Sequence, residues 1–287
     1  MDEILAALDL WRPAGQPIAR IAIRAARGST PREAGSFMLV TPDAQAGTIG
    51  GGHLEWDSVI RARALLAGQG QAGEHDVPLG PEIGQCCGGV VRVRIERADD
   101  ALLDALVRDG LAARAARPVL LLFGAGHVGR ALARALAPLP LRLVWIDPRA
   151  AEFGTVPDSV EIRVTADWES AIAAAPPGAG ALVLTPSHAL DALIVGAALE
   201  RGDFRYVGLI GSKTKRRRFE AGFRSLGLGE DRIETLVCPI GDRGIRDKRP
   251  EIIAALVAAE IVERLLHDNA GMEESNGAEG IGMRHTA

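Results

Sequence analysis

The sequence predicts an α/β protein: an N-terminal α+β domain followed by a Rossmann-like domain with a parallel sheet flanked by helices. Three observations carry the prediction. The first hundred residues mix alternating strand patterns with amphipathic helical ones. From residue 117 the rhythm changes to a buried apolar run, a short loop and a helix. It recurs in "PVLLLFGAGHVGRALARAL", "LRLVWID", "GALVLTPSHALDALIVGAALE" and "FRYVGLIGSKTKRRRFEAGFRSLG", the pattern of a parallel sheet wrapped by helices. Length is the third, since 287 residues suit two domains or one large α/β unit.

The elements follow in order. "MDEILAALDLW" sets Ile4, Leu5, Leu8 and Trp11 on one helical face. "PIARIAIRAA" reads as a strand that ends in the turn "RGSTPREAGS", and "SFMLV" is a second strand. "TPDAQAG" is a hairpin-like turn before "TIGGGH". Residues 54–66 are helical, with Leu54, Val59, Ala62, Leu65 and Leu66 as core positions. "GGVVRVRIE" alternates, with Val91, Val93 and Ile95 on one face and Arg92, Arg94 and Glu96 on the other. The divisions expected are an α+β domain over 1–98, a bridging helix over 99–116 and a Rossmann-like domain over 117–267. The last of these closes on the helix "RPEIIAALVAAEIVERLL", with Pro250 in its first turn. Residues 268–287, polar and rich in glycine, are expected to be a disordered tail.

Composition excludes several classes. A formal charge of −4 implies no basic face for nucleic acid. No apolar run reaches membrane-spanning length, and the acidic N-terminus lacks the basic region of a signal peptide. Three cysteines, two of them adjacent, do not make a disulfide framework. A reducing, cytoplasmic compartment is expected.

Gly124-Ala-Gly126-His-Val-Gly129 follows an apolar strand and opens a helix, and Asp147 ends the next strand about twenty residues on. The glycines let backbone approach a phosphate, and the helix start supplies free N–H groups. The pattern favours a phosphate-bearing ligand over a bare tight turn. His127 either bonds that ligand or caps the turn. In "GQCCGG", Cys86 and Cys87 sit among glycines rather than in an apolar pattern. Buried filler, a reactive thiol, a zinc ligand and a redox switch all stay open, although zinc lacks its paired spacing. Thiolate also suits soft metals and sulfur transfer. In "GTIGGGHLE", the run Gly50, Gly51, Gly52 before His53 and Glu55 implies close approach to a ligand or to another backbone segment. In "RGSTPRE", Ser29 and Thr30 either cap a turn or grip an anion. His188 in "TPSHALD" stands at a strand C-terminus, where open α/β sheets bind ligands. In "GSKTKRRRFE" a solvated basic helix face is expected, with Gly211 and Ser212 able to meet an anion. Cys238 reads as structural.

"RGSTPREAGSFMLV", "GTIGGGHLE", "GQCCGGVVRV", "LFGAGHVGRALARAL", "TPSHALD", "YVGLIGSKTKRRRF" and "CPIG...RPEIIAALVAAEI" stand in this order from about residue 18 to 266. Together they resemble the XdhC/CoxI family, accessory factors of xanthine dehydrogenase and related molybdenum hydroxylases. The histidine of "GGGHLE" is similar to the XdhC branch. Asp242 departs from the family pattern, where an apolar residue is expected.

The resemblance implies a chaperone of the molybdenum cofactor, a phosphate-bearing pyranopterin, rather than an enzyme. Such a protein holds the cofactor while a cysteine desulfurase exchanges an oxo ligand for sulfur. It then passes the cofactor to apo xanthine dehydrogenase, in purine metabolism. A homodimer without nucleic-acid or membrane partners is expected. Under this reading Gly124, Gly126 and Gly129 cradle the phosphate, Gly50, Gly51, Gly52 and His53 hold the pterin or molybdenum end, and Cys86 or Cys87 approaches the metal. Glu55, Gln85, His127, Asp147 and His188 complete the expected cofactor-binding set, although Asp147 would bond a ribose only in a dinucleotide site. The alternative is an NAD(P)-dependent oxidoreductase, for which His188 with Asp191 is the one acid–base pair in view. A third reading is a structural adaptor that holds no ligand.

Overall fold

The structure, a computed structural model, describes residues 1–79 and 88–267. The chain divides into two compact units, with the break between Ala116 and Arg117.

The first unit is built on a five-stranded antiparallel sheet. Its strands are β1 (Ala19–Arg27), β2 (Phe37–Val40), β3 (Gln45–Gly47), β4 (Gly73–Pro78) and β5 (Val90–Arg97), in the order β3-β2-β1-β5-β4. Side chains alternate across it. Met38 and Val40 join Ile21, Ile23, Val91 and Val93 beneath helix α2 (Gly52–Leu66), which contributes Leu54, Val59 and Ala62. Leu39 points the other way, into a second core with Ile4, Leu8 and Trp11 of α1 (Asp2–Trp11). Helix α3 (Asp100–Ala115), expected to bridge the two halves, adds Leu103 and Leu106 to that same core within the first unit.

β4 carries no apolar alternation, and sequence reading passes over it. It is an edge strand held by charge: Asp76 accepts from Arg92 Nε at 2.8 Å and Glu74 lies 3.4 Å from Arg94. Such polar edges resist pairing with other chains.

The second unit holds a six-stranded parallel sheet. Its strands are β6 (Val119–Phe123), β7 (Arg142–Ile146), β8 (Glu161–Arg163), β9 (Gly180–Val183), β10 (Tyr206–Leu209) and β11 (Leu236–Val237), in the order β11-β10-β9-β6-β7-β8. This is the Rossmann order, in which the chain leaves β8 and resumes at β9 on the far side of β6. Leu120 and Leu122 face α4 (His127–Leu136) and α9 (Pro250–Ile261). Leu121 and Phe123 face the core built on α5 (Trp168–Ala173), α6 (His188–Arg201), α7 (Lys213–Ser225) and α8 (Glu230–Glu234). The expected α/β class is what the fold shows. Asp242 is exposed, so its departure from the family pattern carries no burial cost, while Gly241 N–H anchors the loop on buried Glu260 at 3.2 Å. No helix among the described residues is long and apolar enough to cross a membrane.

Candidate functional site

The glycine turn forms where β6 ends. Gly124 N–H donates to the Ile146 carbonyl at 2.9 Å, and Trp145 Nε1 donates to the Gly124 carbonyl at 3.0 Å. With φ at +113°, Gly124 occupies a region that other residues avoid. A Cβ there would stand 2.4 Å from the Leu184 carbonyl oxygen. A Cβ on Gly129 would stand 2.1 Å from the Gly124 oxygen, so α4 can lie on the turn only because that position is glycine.

Gly126 differs. Its φ is −69°, open to any residue, and a Cβ would meet nothing within 4 Å. It is the N-cap of α4 without a capping side chain, and the first turn holds no acidic residue. The first-turn amides of a helix lack intrahelical acceptors and carry partial positive charge. His127, the first residue of α4, is exposed. The turn is thus packed from within at two glycines and open at the third.

Asp147 closes the turn from beneath. Its carboxylate is buried; Oδ2 accepts from Ala125 N–H and Arg149 Nη2, both at 2.8 Å, and Oδ1 accepts from Arg149 N and Nε, both at 2.9 Å. A carboxylate offers about four lone-pair sites, so no acceptor is left over. Burial works to raise the Asp147 pKa, but the Arg149 and Ala125 hydrogen bonds outweigh it and hold the group below its ordinary value. Asp147 pins the loop.

At the end of β9, His188 is exposed as the first residue of α6, after the Ser187 cap. Asp191, fully buried, does not serve it. Asp191 Oδ1 accepts from Thr185 N at 3.0 Å and Oγ1 at 2.8 Å, while Oδ2 accepts from Lys215 Nζ at 2.8 Å. Lys215 also donates to the Ile210 carbonyl at 2.9 Å. This pair ties the β9 loop to the start of α7, and sequence reading had absorbed Lys215 into a solvated basic face. Its signal in the sequence is its position three residues after Ser212, the cap of α7. Burial pushes the Cys238 thiol up, which suits the structural role expected of it.

In the first unit Gly50, Gly51 and Gly52 all have positive φ, at +123°, +75° and +63°. A Cβ on Gly50 would stand 2.7 Å from Pro31 Cγ, so this glycine makes room for the "RGSTPRE" loop; Gly51 faces open space. Glu55 turns back on the loop, where Oε2 accepts from Thr48 Oγ1, from Ile49 N–H at 3.0 Å and from Gly51 N–H at 3.1 Å. His53 is exposed, its ring 5.6 Å from that of Trp56. Gln85, Cys86 and Cys87 lie outside the described residues. Gly89, just beyond them, is pressed against the same loop: its Cβ would stand 2.5 Å from the Ser29 oxygen. Among the described residues no group of three or more His, Cys, Asp or Glu side chains is arranged to hold a metal.

A parallel sheet in Rossmann order, with an open glycine turn at its switch point, and an antiparallel α+β unit earlier in the chain define a two-unit protein of Rossmann type. The family description "XdhC Rossmann domain" matches residues 120–261, and "XdhC and CoxI family" matches residues 11–76. The chain belongs to the XdhC/CoxI family, as its motifs implied. A crystal structure described as a xanthine dehydrogenase from Bacillus halodurans superposes with a TM-score of 0.78 at 21% identity, over 95% of this chain and 99% of that one. At that identity the likeness speaks for the fold. The Escherichia coli (strain K12) protein YqeB, described as uncharacterized, is 26% identical over 86% of this chain. The chain spans 43% of YqeB's length.

Proposed function

We propose that the protein is a maturation factor for xanthine dehydrogenase that holds the molybdenum cofactor, a pyranopterin with a terminal phosphate, and is not itself an enzyme. Family membership supports the xanthine dehydrogenase context. The observation that carries the cofactor reading is Gly126: within the GxGxxG run it alone has no internal reason to be glycine, and it borders helix-start amides suited to a phosphate. The bound group supplies the molybdenum centre that receives sulfur from a cysteine desulfurase, for delivery to the apo-dehydrogenase. The chain's own residues bind and orient it: the Gly124–Gly129 turn takes the phosphate, and Asp147 keeps the turn rigid. Cys86 or Cys87 is proposed as the thiolate near the metal, and His53 as a contact of the pterin or metal end.

Two features speak against an NAD(P)-dependent oxidoreductase. Asp147, which would bond a ribose in that class, has its acceptors filled by Ala125 and Arg149. The acid–base pair expected of His188 and Asp191 is replaced by Asp191 with Thr185 and Lys215. Incubating the purified chain with molybdenum cofactor and, separately, with NADH tests the proposal. Pterin fluorescence retained through gel filtration supports it; tight nicotinamide binding alone rejects it. Cys86→Ala and Cys87→Ala should keep the fold yet deliver less active cofactor. Normal activation of the dehydrogenase by both single variants and the double variant would remove the thiol role.

A further inference from the structure

Helix α7 and the residue after it break three local rules. Five of its first six residues are cations, although the positive end of a helix dipole disfavours positive charge. Lys215 is taken by Asp191, Arg216 by Glu220 at 2.6 Å and Arg224 by Glu230 at 2.8 Å. Glu220 is the only acidic residue of the helix. Lys213, Arg217 and Arg218 are exposed and have no ion-pair partner among the described residues. Lys213 and Arg217 stand four residues apart, where like charges on a helix repel.

The second breach is Gly222. Glycine inside a helix is less stable than alanine, and a Cβ here would meet nothing within 4 Å, so packing within the unit gives no reason for it. The third is Leu226, directly after the helix and 84% exposed, more than any other large apolar side chain among the described residues. Helical spacing sets Lys213, Arg217 and Arg224 along one edge of the outer face. The small residues Thr214, Ala221 and Ser225 lie between that edge and Arg218, with Gly222 one turn beyond. Departures from local rules without an internal compensation mark sites of function.

These features limit the occupant. Unpaired cations call for carboxylates or phosphates. Together with Leu226 they extend over about 20 Å of helix axis, longer than a small anion. Single-stranded nucleic acid stacks its bases on aromatic rings, whereas Phe219 and Phe223 of α7 are buried. The chain's net charge of −4 repels a nucleic-acid duplex. Helix axes approach most closely across small side chains. We propose that the outer face of α7 docks an acidic surface helix of a partner protein. That helix crosses at Gly222, sets its carboxylates on Lys213, Arg217 and Arg218, and covers Leu226. The choice of partner rests on the maturation-factor reading.

The test uses Gly222→Gln and the double variant Lys213→Glu with Arg217→Glu in the full chain. Purified apo xanthine dehydrogenase and cysteine desulfurase are the probes, titrated by calorimetry. Acidic residues near the start of α7 relieve the dipole conflict, and glutamine is a better helix former than glycine. Both variants should therefore unfold at or above the wild-type temperature. Each should lose at least about tenfold in affinity for the probe that the wild type binds. Added salt should weaken the wild type more steeply than the double variant. Pterin fluorescence retained through gel filtration should be unchanged. Wild-type affinity in either variant overturns the docked helix and leaves the cofactor reading standing. A wild-type chain that binds neither probe overturns the surface and the partner reading together. If the double variant loses cofactor or phosphate while still binding the probes, the face belongs to a small anion and the proposal falls. It falls likewise if light scattering shows a wild-type dimer that both variants split with probe binding intact, which assigns the face to a second copy.

Discussion

Replacing Gly129 with alanine and Gly126 with alanine should separate packing from binding within one six-residue motif. The added methyl of Gly129→Ala would start 2.1 Å from the Gly124 oxygen, where real contacts are essentially never under 3.0 Å. The start of α4 must therefore move away from the turn by roughly 1 Å, an overpacking strain of about 1–3 kcal/mol. For a unit of this size that lowers the unfolding midpoint by roughly 2–12 °C. Gly126→Ala places its methyl in open space at φ −69°. Its stability should change little, because the poorer N-capping of alanine, roughly 0.5–1 kcal/mol, is offset by about 0.4–1 kcal/mol from the reduced freedom of the unfolded chain. Thermal unfolding by circular dichroism measures both, and retention of pterin or phosphate is read on the same samples. Gly129→Ala should lose stability and ligand together; Gly126→Ala should lose ligand alone. Equal melting of the two variants would refute the assignment of Gly129 to packing and Gly126 to the ligand.

Three further outcomes follow from the hydrogen-bond networks. Asp147→Asn should destabilise the second unit by roughly 1–3 kcal/mol at neutral pH. Because the folded pKa of Asp147 lies below its ordinary 3.8, its contribution is present above that pH and fades as pH falls through the lower folded value; unfolding of wild type and variant should converge there. Lys215→Met leaves the buried Asp191 without its cation and should cost roughly 3 kcal/mol in urea unfolding. Adding Asp191→Asn should recover part of that loss. Glu55→Ala removes the acceptor of three donors at the "TIGGG" loop and should lower first-unit stability by roughly 1–2 kcal/mol, with faster amide exchange at Ile49 and Gly51.

Much of this architecture could be read from sequence because its signals are strong and local. β6 is a fully buried apolar run, and the glycines that follow announce a turn before any helix is seen. β4 was missed because an edge strand held by Asp76 and Glu74 against arginines shows no hydrophobic period. The five-residue α8 and the two-residue β11 are too short to display one. The site was legible in its glycines, where backbone geometry restricts residue type, and less so in its charged groups. Asp147 stands where a ribose-binding acid would stand, and only its contacts with Ala125 and Arg149 reveal a loop pin. Lys215 looked like one cation among many; its partner Asp191 lies 24 residues earlier, on a helix that sequence spacing does not bring near.

The strand order of the second unit also bears on how copies of the chain can meet. Its outermost strands are stubs, three residues in β8 and two in β11. A sheet that tapers in this way offers an incoming chain too short a ladder for lateral growth. Self-assembly by continuous sheet extension, the route toward fibrils, is therefore discouraged in this unit by geometry alone. A dimer that uses this unit would have to form through side-chain surfaces, where single substitutions can tune it without touching the backbone frame.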